Sequence, residues 1–191
     1  MIRLVRHAPP AATPDAPAPS WPLTPEGRAL AAALVPALPA GALLFSSPEP
    51  KAWQTLEPAA AAGPVPRPVV HDARFGEVRR PADTWAGGWR AERQAYVAGT
   101  PYPGWEPQAD VAARFDAGVT AALAAAGGSG PGVVVASHGM AITCWLVSRG
   151  LVAAADAAEF WSTLRQPDVL TVDLGAGTWR RDEPSTQDQD V

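Results

Sequence analysis

Short apolar runs alternate along the chain with longer segments in which apolar residues recur at helical spacing. The short runs predict β-strands, and the last long run alternates apolar and polar positions as a half-buried strand does. Strands that alternate with helices are typical of a mostly parallel sheet covered by helices on both faces. The predicted strands are residues 2–6, 42–46, 69–70, 133–137 and 168–174, with 178–180 as a further strand pairing with the last of these.

The predicted helices begin at recognisable capping sequences. Residues 24–26 (Thr-Pro-Glu) supply an N-cap, a proline suited to the first helical position and an acid for the first turn. Residues 47–49 (Ser-Pro-Glu) repeat this signal, and further helices are predicted over 107–126 and 140–151. The apolar faces expected for the first two helices are formed by Leu30, Leu34 and Leu38, and by Trp53, Leu56 and Ala60.

Two segments differ from this alternation. Residues 72–105 combine tryptophans and glycines without a clear period, and so long an irregular segment in a compact domain is usually a lid or binding loop. Residues 182–191 are acidic and polar, which predicts a disordered tail. We therefore expect a single domain over residues 1–181, with the lid at about 72–105.

Two of the three histidines of the chain occupy equivalent positions. His7 follows the first predicted strand, with Arg6 beside it, and His138 follows the strand at 133–137. In open α/β sheets, ligands bind beyond the carboxyl ends of the strands. Two imidazoles and a guanidinium placed there predict a small anion-binding site.

Composition narrows the possible partners and location. The net charge of −4 and pI of about 5.3 argue against non-specific nucleic-acid binding, so an anion site must be a local basic pocket. No apolar run approaches the roughly 18 residues needed to span a bilayer, and no signal-peptide pattern precedes the first strand. The single cysteine excludes an intramolecular disulfide framework. We expect a cytoplasmic protein without nucleic-acid or membrane partners, and the oligomeric state stays open.

Four sequence blocks resemble, in order, those of the histidine phosphatase superfamily, the phosphoglycerate-mutase-like proteins. An arginine–histidine pair alone would be weak evidence, whereas four blocks in the right order are specific. A fifth segment, residues 72–77, resembles the one that supplies the family's acidic residue. The blocks are residues 4–8 (Leu-Val-Arg-His-Ala), 23–28 (Leu-Thr-Pro-Glu-Gly-Arg), 46–55 (Ser-Ser-Pro-Glu-Pro-Lys-Ala-Trp-Gln-Thr) and 137–139 (Ser-His-Gly).

The resemblance implies a three-layer α/β/α fold with a mixed, mostly parallel sheet, and a phosphoryl-transfer site. His7 is the expected nucleophile, since a neutral imidazole is competent near pH 7 and would carry the phosphoryl group transiently. The phosphate would bind Arg6, Lys51, His138 and backbone N–H groups after Gly139, because guanidinium groups and helix N-termini bind anions. No metal or cofactor is expected.

Glu77 is the expected proton donor to the leaving group and the later base for water. Other acids in the segment 72–106, such as Glu92, remain alternatives. Glu106 and Arg114 echo a helix-start pattern of the family and are interpreted as structural.

The chain departs from the family pattern at two places. Lys51 stands where the family usually has arginine, which keeps the charge but loses the planar fork, so that Arg79 or Arg80 could compensate. Residues 8–10 (Ala-Pro-Pro) replace the usual glycine–acid–hydroxyl sequence, and the Trp-Asn pair typical of the mutases is absent.

These departures favour hydrolysis of a small phosphorylated metabolite through a phosphohistidine. Two alternatives stay open: a phosphotransferase of the phosphoglycerate mutase type, and a non-catalytic protein that binds a phosphorylated ligand.

Overall fold

The two strands that precede the histidines lie side by side in the computed structural model, which describes residues 1–63, 66–82, 85, 87–127 and 132–182. β1 (Ile2–Arg6) pairs in parallel with β4 (Val133–Ser137). β2 (Leu43–Ser46) and β3 (Val69–His71) continue the parallel part. β5 (Asp168–Asp173) and β6 (Thr178–Arg181) add antiparallel pairings. Within the described residues the order is β3-β2-β4-β1-β5-β6, so the predicted mixed, mostly parallel sheet is confirmed.

Helices cover both faces of this sheet. Because side chains alternate along a strand, Leu4 and Val135 pack into one apolar cluster while Val5 and Val134 pack into another. The helices are α1 (Pro25–Ala33), α2 (Pro50–Ala61), α3 (Trp89–Val97), α4 (Gln108–Ala125), α5 (Gly139–Ser148) and α6 (Ala157–Thr163). The first cluster includes apolar residues of α3, α4, α5 and α6, and the second includes those of α2, which confirms the three-layer arrangement.

The apolar face predicted for the first helix is wrong at Leu30, which is exposed, whereas Leu38 is buried and Leu34 packs against the second cluster. Within α1 itself the buried residues are Gly27 and Ala31. α1 also ends at Ala33, and a separate 3-10 turn follows over Val35–Ala37. These small buried residues let α1 approach the loop after β1 closely. The helical spacing of the leucines does not indicate such a contact.

The prediction that residues 72–105 are irregular is wrong for α3. This helix follows Gly88, whose φ of 83° suits glycine, and it buries Tyr96 and Val97 in the core. The short helix α6 was not predicted, because its buried residues span little more than one turn. Both helices are stabilised by tertiary packing rather than by a long periodic pattern.

The predicted tail lies outside the described residues except for its first residue. Asp182 accepts hydrogen bonds from the Thr171 hydroxyl at 2.8 and 3.0 Å and pairs with Arg3 and Arg180. This residue therefore belongs to the folded part of the chain. Among the described helices, none has the length and apolar character required to cross a bilayer.

Candidate active site

The sheet brings the two predicted histidines together. Arg6 and Ser137 are register partners in the parallel pair β1–β4, so His7 and His138 follow at the same edge. Their ring centroids are 5.2 Å apart at an interplanar angle of 63°. Both side chains are buried, so the two rings are largely removed from water.

The protonation of His7 is determined by its neighbours. Nδ1 of His7 lies 2.8 Å from the carbonyl oxygen of Ala8, a contact in which the ring nitrogen must be the donor. Nε2 therefore carries the lone pair. Burial, aided by His138, holds the pKa of His7 well below its usual range. Burial also lowers the pKa of His138 to about 3, although the charge of Glu77 opposes this. Both rings are neutral at pH 7.

Arg6 lies against the beginning of α5. Its Nη1 donates to the carbonyl oxygen of Leu164 at 2.6 Å. Burial lowers the pKa of Arg6 to about 10, so the guanidinium is still charged at neutral pH. A Cβ at Gly139 would stand 3.3 Å from Arg6 Nε and 3.0 Å from Trp161 Nε1. The glycine after His138 thus allows the guanidinium to approach the N-terminus of this helix.

Glu77 reaches the same helix N-terminus. Its Oε1 accepts hydrogen bonds at 3.0 Å from the backbone N–H groups of Val78 and Ala141, the latter in the first turn of α5. The positive end of a helix dipole favours a carboxylate at this position. The charge of Glu77 raises the pKa of Arg6 and of His138 against the effect of burial. The alternative acid, Glu92, lies exposed in the first turn of α3.

The loop that carries Glu77 is held by Arg114 of α4. Arg114 donates to the carbonyl oxygens of Gly76 and Glu77 at 2.8 and 3.0 Å, and also to that of Arg74. Its guanidinium also binds both oxygens of Glu106 at 2.9 and 3.0 Å. These contacts agree with a structural interpretation of Arg114 and Glu106.

Lys51 is buried and bonded within the protein. Its Nζ donates to the carbonyl oxygen of Ala18 at 2.7 Å and to Oε2 of Glu49 at 2.5 Å. It also lies 5.9 Å from the centroid of the Trp21 ring. The lysine that stands in place of the family arginine therefore has a carboxylate partner.

Glu49 is the residue that the sequence analysis missed. Its Oε1 lies 3.2 Å from Nε2 of His138 and accepts a hydrogen bond at 3.0 Å from the backbone N–H of Glu77. Residues 47–49 resemble a helix start, but α2 begins at Pro50, and the Glu49 side chain makes no capping hydrogen bond there. A carboxylate two positions before Lys51, inside the matched block, is the signal that could have indicated it.

The two cations considered as substitutes for the family arginine are engaged elsewhere. Arg79 donates to Glu106 at 2.7 Å, and its side chain is mostly exposed. The guanidinium of Arg80 lies 5.4 Å from the centroid of the Trp105 ring.

Other residues of the matched blocks shape the loop after β1. The Thr55 hydroxyl accepts from the backbone N–H of Ala8 and donates to the carbonyl oxygen of Lys51, which ties this loop to α2. A Cβ at Gly27 would stand 2.4 Å from the Pro9 carbonyl oxygen, so only glycine fits. Within the part of the chain that the structure describes, no group of three or more His, Cys, Asp or Glu side chains is arranged to hold a metal ion.

A cavity of about 170 Å³ adjoins Arg6. It is lined on one side by Trp89 and Arg90 of α3, and on another by Trp161 of α6. The predicted lid segment therefore contributes a wall of this cavity.

Comparison with known proteins identifies the family and the fold. The family description "Histidine phosphatase superfamily (branch 1)" matches residues 2–180. A search of curated proteins found no match.

Among solved structures, a mycobacterial glucosyl-3-phosphoglycerate phosphatase is similar, with 21% identity, a TM-score of 0.68 and coverage of 95% of this chain and 96% of that one. Solved structures of that phosphatase include complexes with inorganic phosphate and with VO3. Bacillus stearothermophilus YhfR is similar with 19% identity, a TM-score of 0.67 and coverage of 94% of each chain. These solved structures share the fold of this chain. The family description matches nearly the whole chain, so the chain belongs to branch 1 of the histidine phosphatase superfamily.

Proposed function

We propose that this protein is a phosphomonoesterase that hydrolyses a small phosphorylated metabolite through a phosphohistidine at His7. The observation that carries the proposal is the state of the His7 ring. Nδ1 donates to the Ala8 carbonyl oxygen, and burial keeps the ring neutral. Nε2 thus offers a lone pair beside His138 and Arg6, as a nucleophile in phosphoryl transfer requires.

In the proposed first step, Nε2 of His7 attacks phosphorus, and the bond from phosphorus to the leaving oxygen breaks. Arg6 and His138 stabilise the charge on the phosphoryl oxygens, as positioned donors do in such transition states. Glu77, in its protonated form, gives its proton to the leaving oxygen. In the second step, water loses a proton to Glu77 and attacks the phosphohistidine, which releases phosphate and restores His7.

The cavity beside Arg6 suits the leaving group. Trp89 and Arg90 present an aromatic surface and a charged group to it, which supports a small polar metabolite as substrate. Similar solved structures include a phosphatase named for glucosyl-3-phosphoglycerate, which is itself such a metabolite. Differences in the lid would then select among leaving groups.

The first test is release of phosphate from an aryl phosphate and from a panel of metabolite phosphates, in the presence of a chelator. The wild-type protein should be active, and the turnover of His7→Ala should fall by more than about 1,000-fold, as expected when a nucleophile is removed. His71→Ala is the matched control. His71 is an exposed residue of the edge strand β3, and its ring stacks on that of Trp53 rather than lying beside His7. Undiminished activity of His7→Ala would contradict the assignment of the nucleophile.

The same panel separates the two alternatives. A mutase-type phosphotransferase would isomerise a phosphorylated acid and be stimulated by a bisphosphate. A protein that only binds a phosphorylated ligand would gain thermal stability with phosphate but release none from any substrate. Trapping of acid-labile phosphate on the wild-type protein, but not on His7→Ala, would test the phosphohistidine directly.

A further inference from the structure

One buried carboxylate contacts the same side chains that the proposed function assigns to the phosphoryl group. Glu49 lies 3.2 Å from Nε2 of His138 through one oxygen and 2.5 Å from Nζ of Lys51 through the other. It also accepts the backbone N–H of Glu77 at 3.0 Å. The carboxylate is thus bonded to one of the cations of the phosphate site, whereas Nε2 of His138, though close to it, has no hydrogen-bond partner among the described residues.

The ion pair between Lys51 and Glu49 is largely shielded from solvent. The side chains of Lys51 and Glu49 are 7% and 12% exposed. Ion pairs that are shielded from water in this way interact more strongly than exposed pairs, and they are less screened by salt. The Glu49 carboxylate therefore competes with an incoming anion for the Lys51 ammonium group.

We propose that Glu49 determines the affinity of the site for phosphate by competing with the phosphoryl group for Lys51. The proposal rests on the function proposed above, since it takes Lys51 as a phosphate ligand. On binding, a phosphoryl oxygen replaces the Glu49 carboxylate at Nζ of Lys51. The substrate therefore binds more weakly than it would to a lysine without a carboxylate partner.

The test is calorimetric titration of the full-length protein with inorganic phosphate, comparing wild type with Glu49→Gln. The dissociation constant should fall about tenfold in the variant, the effect of one charge-assisted hydrogen bond that phosphate no longer has to displace. Glu57→Gln is the matched control, because it removes a carboxylate of α2 outside the site. Glu57 is half-exposed and forms a 3.9 Å ion pair with Arg28. Unchanged or weaker phosphate binding by Glu49→Gln would overturn the proposal.

Two further variants distinguish competition for Lys51 from an effect of misfolding. Glu49→Ala should also bind phosphate more tightly, and thermal unfolding would establish that each variant is folded. In a Lys51→Met background, Glu49→Gln should give a smaller gain, since the lysine that it would release is missing. An equal gain in both backgrounds would contradict competition for Lys51.

Turnover distinguishes this proposal from the proposed function. If the wild type hydrolyses aryl phosphate, Glu49→Gln should lower KM while kcat changes less. A loss of kcat without tighter phosphate binding would overturn the competitor role and point to proton transfer or positioning of His138. Failure of the wild type to hydrolyse any substrate would defeat the proposed function alone, because phosphate binding is measured without turnover.

Discussion

At the scale of single residues, burial decides the protonation of the two histidines. An exposed imidazole is partly protonated near neutral pH, whereas His7 and His138 are buried, and the pKa of each is lowered. A histidine whose folded-state pKa lies below its unfolded value takes up a proton more readily when the chain unfolds. The stability it contributes is fully present above pH 6.5 and declines as the pH falls below that value toward its folded pKa.

We predict that His138 makes the protein more sensitive to acid. With a pKa of about 3 in the folded state, it should cost the wild type about 2 kcal/mol of unfolding free energy between pH 7.5 and pH 5. Urea denaturation at both pH values, for wild type and for His138→Gln, would measure this. The variant should lose less stability, because His7 and the carboxylates that titrate in this range are common to both proteins. Equal losses would contradict the prediction.

At the scale of secondary-structure elements, the position of Glu77 depends on a helix distant in sequence. Arg114 on α4 holds the loop by the carbonyl oxygens of Gly76 and Glu77, and Ser137 at the end of β4 donates to the Phe75 carbonyl oxygen. A loop acid becomes a fixed group of the site only through these contacts. Arg114 is therefore a positioning residue for Glu77.

We predict that Arg114→Lys lowers kcat about 10- to 100-fold while KM changes little, as expected when a catalytic group is displaced by about 1 Å. A lysine keeps the positive charge near Glu106 but cannot reproduce the forked donation to several carbonyl oxygens. Steady-state kinetics with an aryl phosphate would measure the two constants. Arg28→Lys, at an exposed pair, is the control. A change confined to KM would argue instead for a role in substrate binding.

At the scale of the whole molecule, the sheet positions the residues of the candidate site, and β6 forms one edge of that sheet. β6 pairs with β5, and Asp182, just beyond β6, joins Arg3 of β1 to Thr171 of β5. These contacts connect the end of the described chain to the strand that carries Arg6. The folded unit therefore includes Asp182.

We predict that Asp182→Ala lowers the free energy of unfolding by about 2 kcal/mol, because the Thr171 hydroxyl and Arg3 lose a charged partner. Urea denaturation of the wild type and the variant would measure the difference. An unchanged free energy of unfolding would contradict the prediction.

Much of this protein could be predicted from local sequence. The strands that end at Arg6 and Ser137 are short apolar runs, and parallel strands place their carboxyl ends at one edge, so the approach of His7 to His138 follows from local patterns. The matched blocks likewise indicated the family. The burial of Ala31 in place of Leu30, and the helices α3 and α6, could not be predicted in this way, because they depend on packing against distant elements.

The sequence by itself determined the strands, the helices α1, α2, α4 and α5, which strand ends carry the two histidines and which family the blocks resemble, because these properties depend on residues close together in the chain. Only the tertiary structure decided that Glu49 meets both Lys51 and His138, that Arg114 holds the loop of Glu77, and that the imidazoles are neutral. Each of these depends on burial and on contacts between segments far apart in sequence, whose electrostatic energies are determined by distance and exclusion of water rather than by residue type.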